Sequence, residues 1–239
     1  MSGNVCNIEE IERIAKKYGL KVIYDAAHTF GVRYKDKGIG SFGDASMFSF
    51  HATKVYNTIE GGAVCYNNEE LGRELYKLHD FGIKDAETVD GVGANGKMNE
   101  FVAAMGLCNL NHIEENIAKR QKVAECYRDG LSGIEGIQLL PIQENVVPNY
   151  SYFPIVIDEK KFGATRNEVF DNLAKNSIHA RKYFYPLTSA YDCFHGKYDT
   201  NRTPVALYIS KRVLTIPMYA DLELDDVKRI VKIIMESKR

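Results

Sequence analysis

The residues with chemical potential are concentrated between Asp25 and Gly62. Asp25 ends a short apolar run, Val22-Ile23-Tyr24, and is followed by Ala26, Ala27 and His28. Ser49-Phe50-His51-Ala52-Thr53-Lys54 comes next, and Glu60-Gly61-Gly62 closes the region. A lysine amine condenses with an aldehyde and afterwards moves protons. A strand-terminal aspartate keeps a pyridine nitrogen protonated, which turns the ring into an electron sink. A serine hydroxyl donates to a phosphate, and glycines let backbone approach a bulky ligand. Together these are the requirements of a pyridoxal 5′-phosphate site.

Each of these residues has a plainer reading. Lys54 taken alone is an ordinary solvated lysine; its place in the ordered run is what singles it out. Asp25 could cap a helix after its strand, as strand-to-helix loops often require. His28 and His51 could be partly buried histidines without chemistry, and Gly61-Gly62 a tight turn. None of the six histidines has a ligand-like spacing with a carboxylate or a cysteine, so no metal site is expected. Cys65 and Cys108 read as small core hydrophobes.

The elements that must position these groups follow from periodicity. Asn7 reads as an N-cap with Glu10 in capping-box position, Ile8, Ile11, Ile14, Ala15 and Tyr18 recur at helical spacing, and Gly19 is a natural stop. Lys21–Asp25 then reads as a strand buried on both faces of an α/β sheet, with Asp25 at the carboxyl end where open sheets bind ligands. Ala45–Phe50 and Gly62–Tyr66 are further strands, and a helix spans about Glu69–Leu78. Phe81–Lys97 is glycine-rich and irregular, and helices follow over about Asn99–Leu110 and Ile113–Leu131. Pro141–Pro148 reads as a boundary. Beyond it come a strand in Tyr150–Ile157, a helix opened by the Thr165–Glu168 capping box, and a closing helix over about Asp225–Glu236 with Val227, Ile230, Val231 and Ile234 as its apolar stripe.

Composition sets the outer limits. The 239 residues are 45% hydrophobic and 26% charged, ordinary for a chain with a real core. Thirty-one Lys and Arg against 32 Asp and Glu leave a net charge of -1 without a basic arm, which speaks against nucleic-acid binding. The apolar stretch Phe101–Cys108 falls far short of the about 20 residues a bilayer span needs, so no membrane partner is expected. Met1–Cys6 carries neither the basic nor the apolar region of a secretory signal. Five scattered cysteines fit a reducing cytoplasm.

Val22–Gly31 and Ser49–Ala63 resemble the DegT/DnrJ/StrS sugar aminotransferases. Gly93-Ala94-Asn95-Gly96-Lys97-Met98-Asn99-Glu100 is similar to that family's G-x-N-x-K/R-M-x-E segment, and Arg181–Pro186 and Leu214–Tyr219 to parts of its C-terminal domain. The resemblance implies an α/β PLP-transferase of fold type I: an incomplete, mostly parallel large domain over residues 1–130 and a smaller α+β domain over 131–239. It implies Lys54 as the Schiff-base lysine and acid/base catalyst, Asp25 on the pyridinium nitrogen, and Ala27 beside the cofactor. His28 would stand near the cofactor's phenolic oxygen, Ser49 would hold the phosphate, and Asn95 would reach the phosphate of the neighbouring subunit in a homodimer. Arg181 and Tyr183 would lie on the substrate side. The activity implied is amination of a nucleotide-linked keto sugar, a dTDP-keto-deoxyhexose, with glutamate as donor, for surface polysaccharide. Family members carry a long segment ahead of the helix that starts here near Asn7, including part of the phosphate cradle and the residue stacked on the ring. The expectation is therefore a partial site, weakly active alone; the alternatives are an inactive remnant and one half of a split enzyme.

Overall fold

In the computed structural model, which describes residues 3–238, the first helix forms where its caps dictate. Helix α1 (Ile8–Tyr18) starts with the Asn7 side chain accepting from the Glu10 N–H and stops at Gly19 in the left-handed region. The Glu10 carboxylate does not complete the capping box; it takes the Arg13 guanidinium, one turn on, at 2.6 and 2.8 Å. The strands are β1 (Ile23–Asp25), β2 (Arg33–Tyr34), β3 (Lys37–Gly38), β4 (Ala45–Ser49), β5 (Gly62–Tyr66), β6 (Ile137–Leu139), β7 (Val146–Val147), β8 (Phe153–Ile157) and β9 (Val213–Ile216). The remaining helices are α2 (Glu69–His79), α3 (Glu100–Leu110), α4 (Ile113–Leu131), α5 (Glu159–Phe162), α6 (Arg166–Lys175), α7 (Pro204–Arg212) and α8 (Leu224–Glu236).

These elements fall into two units, residues 3–116 with 143–149, and residues 117–142 with 150–238. The division falls in the first turn of α4 rather than at 130/131, because Val123, Ala124, Tyr127 and Leu131 of that helix belong to the second unit's core. Pro141–Pro148 is likewise no simple boundary. Its β7 returns to the first unit and pairs antiparallel with β2, which also pairs with β3.

The first unit's sheet runs β1-β4-β5, with β1 and β4 parallel and β5 antiparallel to β4. Parallel return requires a crossover element; the chain between β4 and β5 has no helix, so β5 comes back antiparallel. Strand β1 corrects one expectation. It is the edge of this sheet rather than a strand buried on both faces, and Ile23 is 73% exposed. An apolar run reports a preference for cover, not which neighbour supplies it. The unit's core gathers Ile8, Ala26, Val32, Ile39, Phe48, Phe50 and Tyr56. Cys65 and Cys108 are not core residues; both are exposed thiols. Cys65 lies on β5, the opposite edge strand.

In the second unit, β6-β8-β9 is fully antiparallel and β8, its central strand, is buried along its whole length. Helix α6 opens with the expected capping box: Thr165 Oγ1 accepts from the Glu168 N–H at 3.1 Å, and the Glu168 carboxylate accepts from the Thr165 N–H at 2.7 Å. Val227, Ile230 and Ile234 of α8 are buried as the stripe requires, Ile233 joins them, and Val231 is partly buried. Among the described residues no helix is long and apolar enough to cross a membrane.

Candidate active site

The parallel pairing of β1 with β4 aims the carboxyl ends of both strands the same way, and the chemical residues sit at those ends. Asp25 is the last residue of β1, in register with Met47 of β4, and the Ala26 N–H donates to the Met47 carbonyl at 2.9 Å. Ser49 is the last residue of β4. Such a shared edge is where ligands meet an α/β sheet.

After β1 the chain turns sharply. The Thr29 N–H and hydroxyl both donate to the Ala26 carbonyl, at 2.9 and 3.0 Å, and the Val32 N–H donates to the Thr29 carbonyl. Asp25 does not cap a helix here. Its Oδ1 accepts from the Ala27 N–H at 3.1 Å, which orients the carboxylate within the turn. His28 is half-buried on the same turn.

After β4 the chain forms a loop closed on itself. Phe50 N–H donates to the Gly61 carbonyl at 2.8 Å, Thr58 N–H to the Phe50 carbonyl at 2.9 Å, and Lys54 N–H to the His51 carbonyl at 2.9 Å. The paired glycines answer to crowding in this loop. Gly61 has φ +154°, and a Cβ there would meet the Thr58 hydroxyl and come within 2.8 Å of Met98 Cε; a Cβ on Gly62 would stand 2.7 Å from the Phe48 carbonyl. The loop is locked to the turn by aromatic rings. Phe30 stacks on Tyr56 at 4.3 Å between centroids and meets Phe50 edge-on at 5.4 Å. Helix α3 backs the loop: the Asn109 amide donates to the Asn57 carbonyl at 2.9 Å.

Turn and loop bring Lys54 Nζ to 3.4 Å from His28 Nε2. Burial pushes the Lys54 amine below its ordinary pKa, opposed by the Asp25 charge. Burial, then the Lys54 cation, push His28 down to about 4, with Asp25 again opposing. At neutral pH the imidazole is uncharged. An ammonium on Lys54 donates to Nε2, which places the ring proton on Nδ1. Asp25 therefore acts electrostatically on both members of the pair, and three of the expected residues form one cluster. Ser49, half-buried, has its Oγ 3.4 Å from the His51 N–H it accepts.

Other expected residues lie elsewhere. Asn95 is exposed in the 80–97 loop, its backbone bridged to Asp80, whose carboxylate pairs with Lys97. His51 is exposed, with Nδ1 3.0 Å from the Thr53 hydroxyl and Nε2 facing Glu60. Arg181 and Tyr183 belong to the second unit. The Arg181 backbone exchanges two hydrogen bonds with Thr215, its exposed guanidinium bonds the Tyr183 hydroxyl, and the Tyr183 ring stacks on Phe184. Arg181, Phe184, Tyr185 and Pro186 of this segment are exposed. Phe30, Tyr56 and Asn149 organise the cluster without having been singled out in the sequence. The aromatics flank the motif residues and were findable by position; Asn149, whose amide donates to the His28 and Phe30 carbonyls, gives no local signal. Among the described residues no group of three or more His, Cys, Asp or Glu side chains is placed to hold a metal ion.

Comparison with known proteins gives this arrangement a context. The family model of the DegT/DnrJ/EryC1/StrS aminotransferases matches residues 1–235. The dTDP-4-amino-4,6-dideoxy-D-glucose transaminase of Shigella dysenteriae is 40% identical over 236 residues, covering 99% of this chain and 64% of the relative. The protein of the same name from Escherichia coli is 40% identical over 235 residues, covering 96% of this chain and 62% of its own length. This chain thus spans under two thirds of the length of these curated relatives. Among solved structures, DesI in the presence of its TDP-sugar product superposes with a TM-score of 0.90 at 31% identity, covering 98% of this chain and 60% of that one.

Proposed function

The chain belongs to the DegT/DnrJ/EryC1/StrS aminotransferase family, and from that premise we propose that it carries the lysine centre of a nucleotide-sugar aminotransferase, transferring an amino group from glutamate to a dTDP-linked keto-deoxyhexose. The observation that carries the reading is the half-buried Lys54 amine, 3.4 Å from the His28 imidazole and within the field of Asp25, on the carboxyl edge of a parallel strand pair.

Aminotransferases of this family use pyridoxal 5′-phosphate, and the donor set at this edge fits it: one amine, one imidazole, one carboxylate and one hydroxyl. When bound, that group supplies an aldehyde for the amine and a ring that withdraws electrons from the carbon losing its proton. Lys54 is the attachment point, and a depressed pKa makes its neutral, nucleophilic form more available. Lys54 Nζ is also the base that takes a proton and the acid that returns it. Asp25 supplies the anionic partner for a cationic ring nitrogen, its carboxylate aimed by the Ala27 N–H. His28, neutral at working pH, offers a ring nitrogen without adding charge. Ser49 is the phosphate donor. Asn95 is assigned to the phosphate of a second copy in a homodimer, and Arg181 with Tyr183 to the substrate side. The setting is cytoplasmic amino-sugar synthesis for surface polysaccharide.

The test is direct. After incubation with pyridoxal 5′-phosphate and reduction with borohydride, peptide mass spectrometry is expected to find the adduct on Lys54, and Lys54→Ala to lose it. Product formation from dTDP-4-keto-6-deoxyglucose and glutamate is the second readout. An adduct distributed over surface lysines, unchanged in Lys54→Ala, would overturn the assignment.

A further inference from the structure

The turn that carries His28 is held from outside by a residue far away in sequence. Asn149 is 2% exposed, and its side-chain amide donates both N–H groups, one to the His28 carbonyl at 2.9 Å and one to the Phe30 carbonyl at 2.9 Å. The residue between those carbonyls, Thr29, is already tied inward to Ala26 through its N–H and its hydroxyl. The turn is thus gripped on both sides: inward by its own backbone, outward by a single planar amide whose two donors reach alternate carbonyls.

This grip bears on both partners of the reactive pair. Holding the His28 carbonyl fixes the origin of the imidazole that faces Lys54 Nζ at 3.4 Å. Holding the Phe30 carbonyl fixes the ring that stacks on Tyr56 of the lysine loop at 4.3 Å. One side chain therefore sets the turn and, through the aromatic stack, the loop. We propose that Asn149 is a positioning residue for the Lys54–His28 pair, acting through the turn and its stacked ring; as a statement about catalysis, this rests on the proposed function.

The segment bearing Asn149 has other anchors, and they supply the control. Gln143, at its start, exchanges two hydrogen bonds with the Val5 backbone at 2.7 and 2.8 Å, and β7 pairs with β2 between them. Docking of the segment can therefore be weakened without touching the amide that grips the turn. Asn149→Leu keeps the branched shape with bulkier ends and removes both donors; Asn149→Ser keeps one donor in a smaller side chain.

The experiment reads Lys54 itself in cofactor-free protein. Acetylation by limiting acetic anhydride is followed against pH by peptide mass spectrometry, with exposed Lys122 as internal reference. The groups facing Lys54 Nζ among the described residues are His28 and Asp25. In the parent protein the Lys54 midpoint is expected below the ordinary lysine range. Asn149→Leu should raise it by about 0.5 pH unit or more and weaken pyridoxal 5′-phosphate binding about tenfold. Asn149→Ser should move it the same way by less, and Gln143→Leu should leave it in place. A folded Asn149→Leu or Asn149→Ser variant with the parental Lys54 profile would overturn the proposal, as would Gln143→Leu shifting Lys54 equally. If the parent protein fails to bind the cofactor, the proposed function falls, while the acetylation profile still decides the role of Asn149.

Discussion

At the scale of residues, the cluster is governed by burial acting on two bases, with the Asp25 charge opposing it at both. His28 is pushed from an ordinary 6.5 to about 4 by burial first and the Lys54 cation second. The folded state therefore binds fewer protons than the unfolded chain between those values. The resulting stability is fully present above the unfolded pKa and is lost as pH falls through the folded one. The expected outcome for His28→Gln is a variant that lacks this dependence. The parent's urea midpoint should fall relative to the variant's steadily as pH drops from 6.5 to about 4. A constant difference across that window would contradict the assignment. Asp25 makes a separate prediction. Asp25→Ala should still attach pyridoxal 5′-phosphate at Lys54, because the amine remains, yet turn over about 10²-fold or more slowly for want of the electrostatic partner. Near-normal turnover would sink that role.

At the scale of elements, α3 and the lysine loop touch where the helix has no side chain. A Cβ on Gly106 would lie 2.7 Å from Thr58 Cγ2 and 2.9 Å from the Tyr56 hydroxyl. Gly106→Ala gains about 1 kcal/mol of helix propensity, but overpacking costs about 1–3 kcal/mol. The net expectation is lost stability by urea titration together with weaker cofactor binding, since the displaced residues are the loop's own. Helix α6 offers a simpler case: Thr165→Ala removes a capping-box partner and should cost about 1 kcal/mol. The caps at Asn7 and Thr165 were legible in the sequence because a cap acts on residues three places away, each accepting from the N–H three residues on; Asn68 and Asn99 cap in the same way without having been read as caps. Strands β2, β3 and β7 were not legible, since two residues carry no alternation and their pairing joins Arg33 to Val147. The site divides in the same way. Asp25, His28, Ser49 and Lys54 lie in two short runs whose order is informative. Asn149 acts through its amide on distant backbone carbonyls, which any sequence presents, so nothing near it announces the contact.

At the scale of the whole molecule, the described residues of the first unit present apolar side chains on the outside of α3. Phe101 on α3 is 87% exposed, and Met105, Leu107 and Leu110 of the same helix are exposed as well. Isolated apolar residues are common on surfaces, but four exposed on one helix make α3 the expected surface for association. The net charge of -1 leaves little repulsion between copies to oppose contact. The location adds a consequence, because the same helix packs through Gly106 and Asn109 against the loop that carries Lys54. Covering α3 would order that loop from behind, so association and cofactor affinity should vary together. Phe101→Glu separates this from folding. At so exposed a position the substitution should change the unit's stability by no more than about 0.5 kcal/mol. A charge placed in an apolar contact should nevertheless weaken self-association about tenfold or more, measured by sedimentation equilibrium at micromolar concentration. Cofactor binding, titrated on the same samples, should weaken with it. An unchanged association constant in a stably folded Phe101→Glu variant would show that α3 takes no part in the contact between copies.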